Sequence, residues 1–273
     1  MKIIQFIIFG NVLISISAGT LTMGISAFYE GDSPLFYFLT VFFSTLFIYN
    51  FQRMVRTDER EGKKSERHLW LDRNKKVIYL LAVLGIIGSG LSYFLLLKMK
   101  SDLLFLFFIG ILGVFYALKV LNRKALRDLP LIKIHIIALV WVLITSVWPL
   151  VRMEANLIDN SYLFIATYLF IIAVTIPFDI RDLSYDAADK LTFPQVFGVT
   201  TSKRMAIIFL LISFSVLGIA NESFLFNPFY YISLIGLLLL ILWTTRARKE
   251  KYFSGWIDGW IIFFGLMFWL ASN

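Results

Sequence analysis

The chain reads as long apolar stretches separated by polar connections, with no sustained alternation of the kind strands show. Nine stretches approach the roughly 20 mostly apolar residues that a helix needs to cross a bilayer. They run Ile3–Phe28, Leu35–Asn50, Val77–Leu97, Leu103–Leu121, Leu131–Val151, Tyr162–Phe178, Met205–Ala220, Phe226–Thr244 and Ser254–Ala271. The pattern predicts an all-α polytopic membrane protein of nine transmembrane helices, folded as a single domain over residues 1–273. The first stretch is long, is preceded by one basic residue and lacks a clear cleavage pattern leading into a soluble domain. It reads as a retained helix rather than a signal peptide.

Charge supports the same count. With nine spans, the N-terminus and the connections after the second, fourth, sixth and eighth stretches share one side. That side holds 23 of the 26 Lys and Arg residues, and Lys98, Lys100 and Arg152 are the exceptions. The positive-inside rule then puts the N-terminus in the cytoplasm and the C-terminus outside. Three long connections, Phe51–Lys76, Lys119–Pro130 and Asp179–Arg204, fall on the cytoplasmic face. Long loops are often functional, so chemistry is expected at the cytoplasmic ends of the helices.

Composition narrows the function classes. The chain is 59% hydrophobic and 16% charged, with a mean hydropathy of +0.79. Soluble domains carry about 45–50% apolar and about 25% charged residues. The net charge of +8 follows from basic cytoplasmic loops, so no nucleic-acid partner is called for. The partner is a lipid bilayer, and the expected location is the cell membrane, multi-pass, the cytoplasmic membrane in a bacterium. With no cysteine, a disulfide framework, a thiolate metal site, an iron–sulfur cluster and a cysteine nucleophile are all excluded. Nearly all ionisable residues sit at one face, which argues against a transporter with its site at the bilayer midplane.

The densest chemistry is Phe178-Asp-Ile-Arg-Asp-Leu-Ser-Tyr-Asp-Ala-Ala-Asp-Lys190. If the sixth helix continues past Pro177, Asp179, Asp182 and Asp186 fall at i, i+3 and i+7 on one face. Three such carboxylates repel one another unless a cation lies between them, and hard oxygen ligands suit Mg²⁺ with substrate phosphates. A solvated helix end balanced by Arg181 and Lys190 is the simpler alternative. Basic residues lie on the same side: Lys119, Arg123, Lys124, Arg127 and Lys133 around the fourth connection, and Arg53, Arg56, Arg60, Lys63, Lys64 and Arg67 after the second span. Cations beside a carboxylate–metal centre suit a diphosphate. Most of them also serve as topology determinants and contacts to anionic lipid.

Together these residues resemble the UbiA superfamily of intramembrane prenyltransferases, in which nine helices carry two aspartate-rich cytoplasmic motifs. Asp179-Ile-Arg-Asp182-Leu-Ser-Tyr-Asp186, then Leu191-Thr-Phe-Pro194 and Phe197-Gly198, is similar to the second motif. Phe115-Tyr-Ala-Leu-Lys119 and Asp128-Leu-Pro-Leu-Ile-Lys133 resemble the tyrosine–lysine segment of the fourth helix and the start of the fifth. The first motif departs from the pattern. Asn50 and Asp58 match, but Phe51 and Met54 stand where the family has carboxylates, and neither is a good Mg²⁺ ligand.

The resemblance implies Mg²⁺-dependent transfer of an isoprenyl group from a prenyl diphosphate to a lipophilic acceptor, aromatic acceptors included. Mg²⁺ falls to Asp179, Asp182 and Asp186. The diphosphate falls to Lys119, Arg53 and Arg56, with Asn50 and Asp58 orienting the first-motif end. Asp179, Asp182, Asp186 and Lys119 are the catalytic candidates. The altered first motif keeps a second reading open: a non-catalytic relative that binds a polyprenyl lipid or diphosphate, or serves as a subunit of another membrane enzyme.

Other positions carry simpler expectations. Asp258 lies inside the ninth span, where an acid is a functional candidate; pairing with the Arg246–Lys251 cluster or snorkelling is the alternative. His135 reads as a hydrogen-bonded packing residue and Asn11 as an interhelical hydrogen bond. His68 has no assigned role. Gly85, Gly88, Gly90, Gly110 and Gly113 read as close-packing positions.

Overall fold

In a computed structural model the chain is helical, with no strand among its described residues, which are 2–55, 65–96, 100–118, 129, 131–184 and 191–272. The helices are α1 (Lys2–Phe9), α2 (Val12–Phe28), α3 (Pro34–Val55), α4 (Glu66–Arg73), α5 (Lys75–Leu96) and α6 (Lys100–Ala117). They continue with α7 (Ile132–Val142), α8 (Trp148–Arg152), α9 (Ser161–Asp182), α10 (Phe193–Ala220), α11 (Pro228–Leu242) and α12 (Asp258–Ala271). A π-turn, Leu143–Val147, joins α7 to α8, and a second, Tyr252–Ile257, leads into α12.

Helix runs through each of the nine apolar stretches. Among the described residues, six helical segments are long and apolar enough to cross a membrane, and the bent pair α1 and α2 makes a seventh. The fourth and eighth stretches form the shorter apolar helices Leu104–Tyr116 and Pro228–Leu242.

The first stretch is not one helix. It bends by 59° between Phe9 and Val12, because Asn11 adopts a left-handed backbone with φ 61°. Asn tolerates that conformation better than most residues. The bend is held across the bundle. Asn11 Nδ2 donates to Asn50 Oδ1 at 3.0 Å, and Asn50 Nδ2 donates to the carbonyls of Gly10 at 3.1 Å and Leu46 at 2.8 Å. The expected interhelical bond of Asn11 is therefore present.

Two connections hold more helix than hydropathy predicts. The second contains α4, capped by Ser65 and His68: His68 N–H donates to Ser65 Oγ, and Ser65 N–H donates to His68 Nδ1. This reciprocal arrangement is a capping box, and it gives His68 a role. In the sixth connection, α9 passes through Pro177 as far as Asp182, and α10 begins at Phe193 rather than Met205. Gln195 Oε1 accepts from Thr192 N–H at 2.8 Å, and Pro194 sits in the first turn. Gly198, with φ 77°, kinks α10 there, at a backbone geometry that glycine adopts readily.

Helices in lipid gain little from the hydrophobic effect against one another, so close packing decides their association. A Cβ on Gly24 would lie 2.0 Å from Gly265 O, and one on Gly265 would lie 2.7 Å from Leu21 N. These two glycines let α2 and α12 touch backbone to backbone. Gly85 does the same for α5 against the backbone of Phe47 and Phe43 of α3, Gly88 makes room for the Phe43 ring, and Gly113 lies near Ile48. Gly90 and Gly110 face open space, so the close-packing expectation fails for those two. Helix α9 is the centre of the bundle: 72% of its most apolar window is buried, against 28% for α3 and for α5. There Phe170 stacks on Phe264 at 3.7 Å. Ser213 Oγ of α10 donates to Ala166 O of α9 at 2.7 Å, which satisfies a hydroxyl away from water.

Candidate active site

The ends of α3, α6 and α9 and the starts of α7 and α12 converge on a cavity of ≈ 220 Å³. Arg53, Arg67, Lys133, Arg181 and Asp182 line its polar part. Ile137, Val140, Ile171, Val174 and Ile261 line the remainder. Tyr49, Tyr116, Trp141 and Phe178 place aromatic groups on the same wall. Trp141 Nε1 donates to Tyr49 Oη at 3.4 Å, tying α7 to α3.

A buried ion network underlies the polar part. Arg181 forms a two-point pair with Asp182: Nε to Oδ1 at 2.7 Å and Nη2 to Oδ2 at 2.9 Å. Its Nη1 donates to Glu250 Oε1 at 2.8 Å. Arg67 of α4 reaches the same oxygen at 3.2 Å, and Ser254 Oγ adds a third bond at 3.0 Å. The side chains of Arg67, Arg181 and Glu250 are 10%, 8% and 6% exposed, so solvent screens the network little. Arg181 also lies 4.9 Å from the Phe178 ring centroid and 5.6 Å from that of Phe253, within cation–π range. Lys133 Nζ of α7 donates to Asp179 Oδ1 of α9 at 2.6 Å.

Burial alone raises the Glu250 carboxyl. The facing charges of Arg67 and Arg181 outweigh it and hold the group below the ordinary glutamate value.

The candidate residues divide into four groups. Arg53 and Asp182 line the cavity. Asp179 is buried and paired with Lys133, and it is Lys133 that faces the cavity. Asn50 is a correction: it is fully buried, and both its amide donors and its oxygen are engaged in the α1–α2 clamp. Its place at the first-motif end is structural, and it is absent from the cavity lining. Asp186, Lys119, Arg56 and Asp58 lie outside the described residues. Phe51 and Met54 do not line the cavity, whereas Gln52 and Arg53 do. The face that α3 turns inward thus ends in an amide and a guanidinium. His135 Nδ1 and Tyr168 Oη form the expected packing hydrogen bond at 2.6 Å.

Sequence reasoning missed Glu250. Its signal was a single acid inside the basic run Arg246-Ala-Arg-Lys-Glu-Lys251. Arg67 was read as a loop cation, yet α4 carries it into the network.

No group of three or more acidic or histidine side chains stands close enough to hold a metal among the described residues. The donors that are present suit Mg²⁺ by chemistry. Asp182 and Asp179 are hard oxygen ligands, and each carboxylate oxygen can accept a second partner beside its cation. Any third carboxylate from the motif would be Asp186.

Helix order, a central α9 and a polar cavity at the helix ends define an all-α membrane fold. The solved structure of a digeranylgeranylglyceryl phosphate synthase shares this fold, similar over 99% of this chain and 98% of its own, with a TM-score of 0.54 and 18% identity. At that identity the likeness is one of fold. No protein-family model matches the sequence, and no curated protein matches it.

Proposed function

We propose that the chain is a nine-pass membrane prenyltransferase, with its N-terminus in the cytoplasm, that moves an isoprenyl group from a prenyl diphosphate to a lipophilic acceptor. The observation that carries this reading is the cavity itself, where cationic groups from four helices meet an apolar, aromatic-walled interior. The synthase of similar fold adds support through its name.

In this reading the isoprenyl tail lies among Ile137, Val140, Ile171, Val174 and Ile261. The diphosphate lies against Arg53, Arg67, Lys133 and Arg181, with Lys119 and Arg56 as further candidates. Guanidinium groups bind phosphate oxygens at two points and favour negative charge on the departing diphosphate. Asp182 and Asp179, with Asp186, would hold Mg²⁺, which when bound offsets charge on the diphosphate oxygens. The faces of Tyr49, Tyr116, Trp141 and Phe178 favour a developing allylic cation by the same electrostatics that bind cations to rings. Glu250 orients Arg181 and Arg67 from behind.

A second reading is a non-catalytic relative that binds a polyprenyl diphosphate. It is favoured by one observation: Asp179 and Asp182 already carry the cationic partners Lys133 and Arg181.

The test is turnover by the purified full chain. Incubated with Mg²⁺, labelled geranylgeranyl diphosphate and membrane lipid extract, the chain is expected to release diphosphate and to move label into a new lipid. Tight binding of the diphosphate with no release under any condition would favour the second reading.

A further inference from the structure

Asp258 is the one carboxylate of the cavity wall that the reading above does not use. It sits one residue beyond the π-turn Tyr252–Ile257, inside the span Tyr252–Ala271. π-Turns of this kind recur at functional sites. Its main chain is fixed from α2, where Ser17 Oγ donates to Asp258 O at 2.7 Å.

The carboxyl group itself is different. Among the described residues it has no hydrogen bond and no ion pair. The expected pairing with Arg246–Lys251 is absent, and in that cluster Arg248 instead packs on the Tyr252 ring and donates to Trp243 O. Arg181 of α9, Arg67 of α4 and Arg53 of α3 act on it through space, as does Glu250. The helices α2 and α11, which pack against α12, contribute no charged side chain.

A carboxylate without a direct partner inside a span is costly unless something binds it. Its depth says what. Ser254 and Asp258 both line the cavity, Ser254 bonds the Glu250 that holds the arginines, and Asp258 comes four residues further into the span. Asp258 therefore lies deeper than the arginine rim, beside Tyr49 and Ile261, where the reacting carbon of a prenyl diphosphate would meet its acceptor.

Resting on the prenyltransferase reading, we propose that Asp258 is the base of the acceptor site and that the acceptor bears a hydroxyl group directed at it. The allylic carbon–oxygen bond breaks, and its electron pair leaves with the diphosphate. A lone pair of the acceptor oxygen forms the new bond to that carbon, and the hydroxyl proton passes to the Asp258 carboxylate. A positioned base of this kind contributes typically ~10²–10⁴-fold to rate.

The experiment reads a partition. Membranes containing the full chain, and their lipid, are given labelled geranylgeranyl diphosphate and Mg²⁺. Label is then counted in adduct lipid and in geranylgeraniol, the product of capture by water. Asp258→Asn is expected to lower the ratio of adduct to alcohol at least ~10-fold, and Asp258→Glu is expected to restore most of it. A loss of folded protein lowers both products together and leaves the ratio unmoved, so the ratio isolates the proposed role. An unchanged ratio in Asp258→Asn overturns the proposal, as does an Asp258→Asn chain that releases no diphosphate at all. Failure of the wild-type chain to release diphosphate is a different outcome, and it removes the prenyltransferase reading on which the proposal rests.

Discussion

Replacing Glu250 with alanine is expected to destabilise the folded chain by about 3–5 kcal/mol, the range for removing one member of a buried ion pair. Its carboxylate joins Arg67 and Arg181 through a single oxygen, with Ser254 as a third donor. Without it two buried guanidinium groups face each other. Arg181 retains Asp182, but Arg67 loses its bond to Glu250 and α4 loses an anchor to the bundle. The same group gives the effect a pH dependence. Because the folded-state carboxyl is held below its ordinary value, its contribution is complete above the unfolded value of about 4.3. That contribution is lost as pH falls through the folded value. Thermal unfolding of the detergent-solubilised chain checks both points. Wild type is expected to lose stability in acid from about pH 4 downward, and Glu250→Ala is expected to start lower at neutral pH and to lack that component of the acid loss. Equal melting of the two chains at neutral pH would show that the network contributes nothing net.

The second large effect is chemical. Asp182→Asn is expected to cut diphosphate release at least ~10²-fold, as removal of one charge stabiliser commonly does. Asp182 lines the cavity and is the more exposed of the two described motif carboxylates, with a side chain 22% exposed against 2% for Asp179. Asparagine keeps the shape and one acceptor oxygen but removes the charge. Arg181 keeps its bond to Glu250, so the melting temperature should fall less than in Glu250→Ala. Single-turnover release of diphosphate, with melting measured in parallel, separates a catalytic loss from a folding one. Full activity in Asp182→Asn would remove Asp182 from the site.

Hydropathy made the helices legible because lipid demands long apolar runs, and each of the nine runs carries helix. It concealed helix wherever polar residues form it. The segment from Thr192 to Arg204 is helical yet mixed in polarity, and its signals were local: Thr192 and Gln195 as a cap, and Pro194 in the first turn. Likewise Ser65 and His68 announce α4 to a reader looking for caps rather than for hydropathy. The aspartate motif was legible as a cluster of like charge, but its partners were not. Lys133 and Asp179 are 46 positions apart, Arg67 and Glu250 183 apart. Pairings of that range depend on how helices pack, and helix packing leaves no local pattern. Asn50 shows the opposite hazard. It matched a motif position, yet its amide is fully engaged in holding the bend at Asn11.

The most direct measurement for the central idea, a prenyl diphosphate seated with its charged end at the arginine rim, is equilibrium binding of an unreactive thio-analogue of geranylgeranyl diphosphate. Calorimetry would compare the wild-type chain with Arg53→Gln, each with and without Mg²⁺. The account predicts binding that tightens with Mg²⁺ and weakens about 10-fold in Arg53→Gln, the loss expected for a charge-assisted hydrogen bond. Binding indifferent to both the metal and Arg53, or no binding at all, would contradict it.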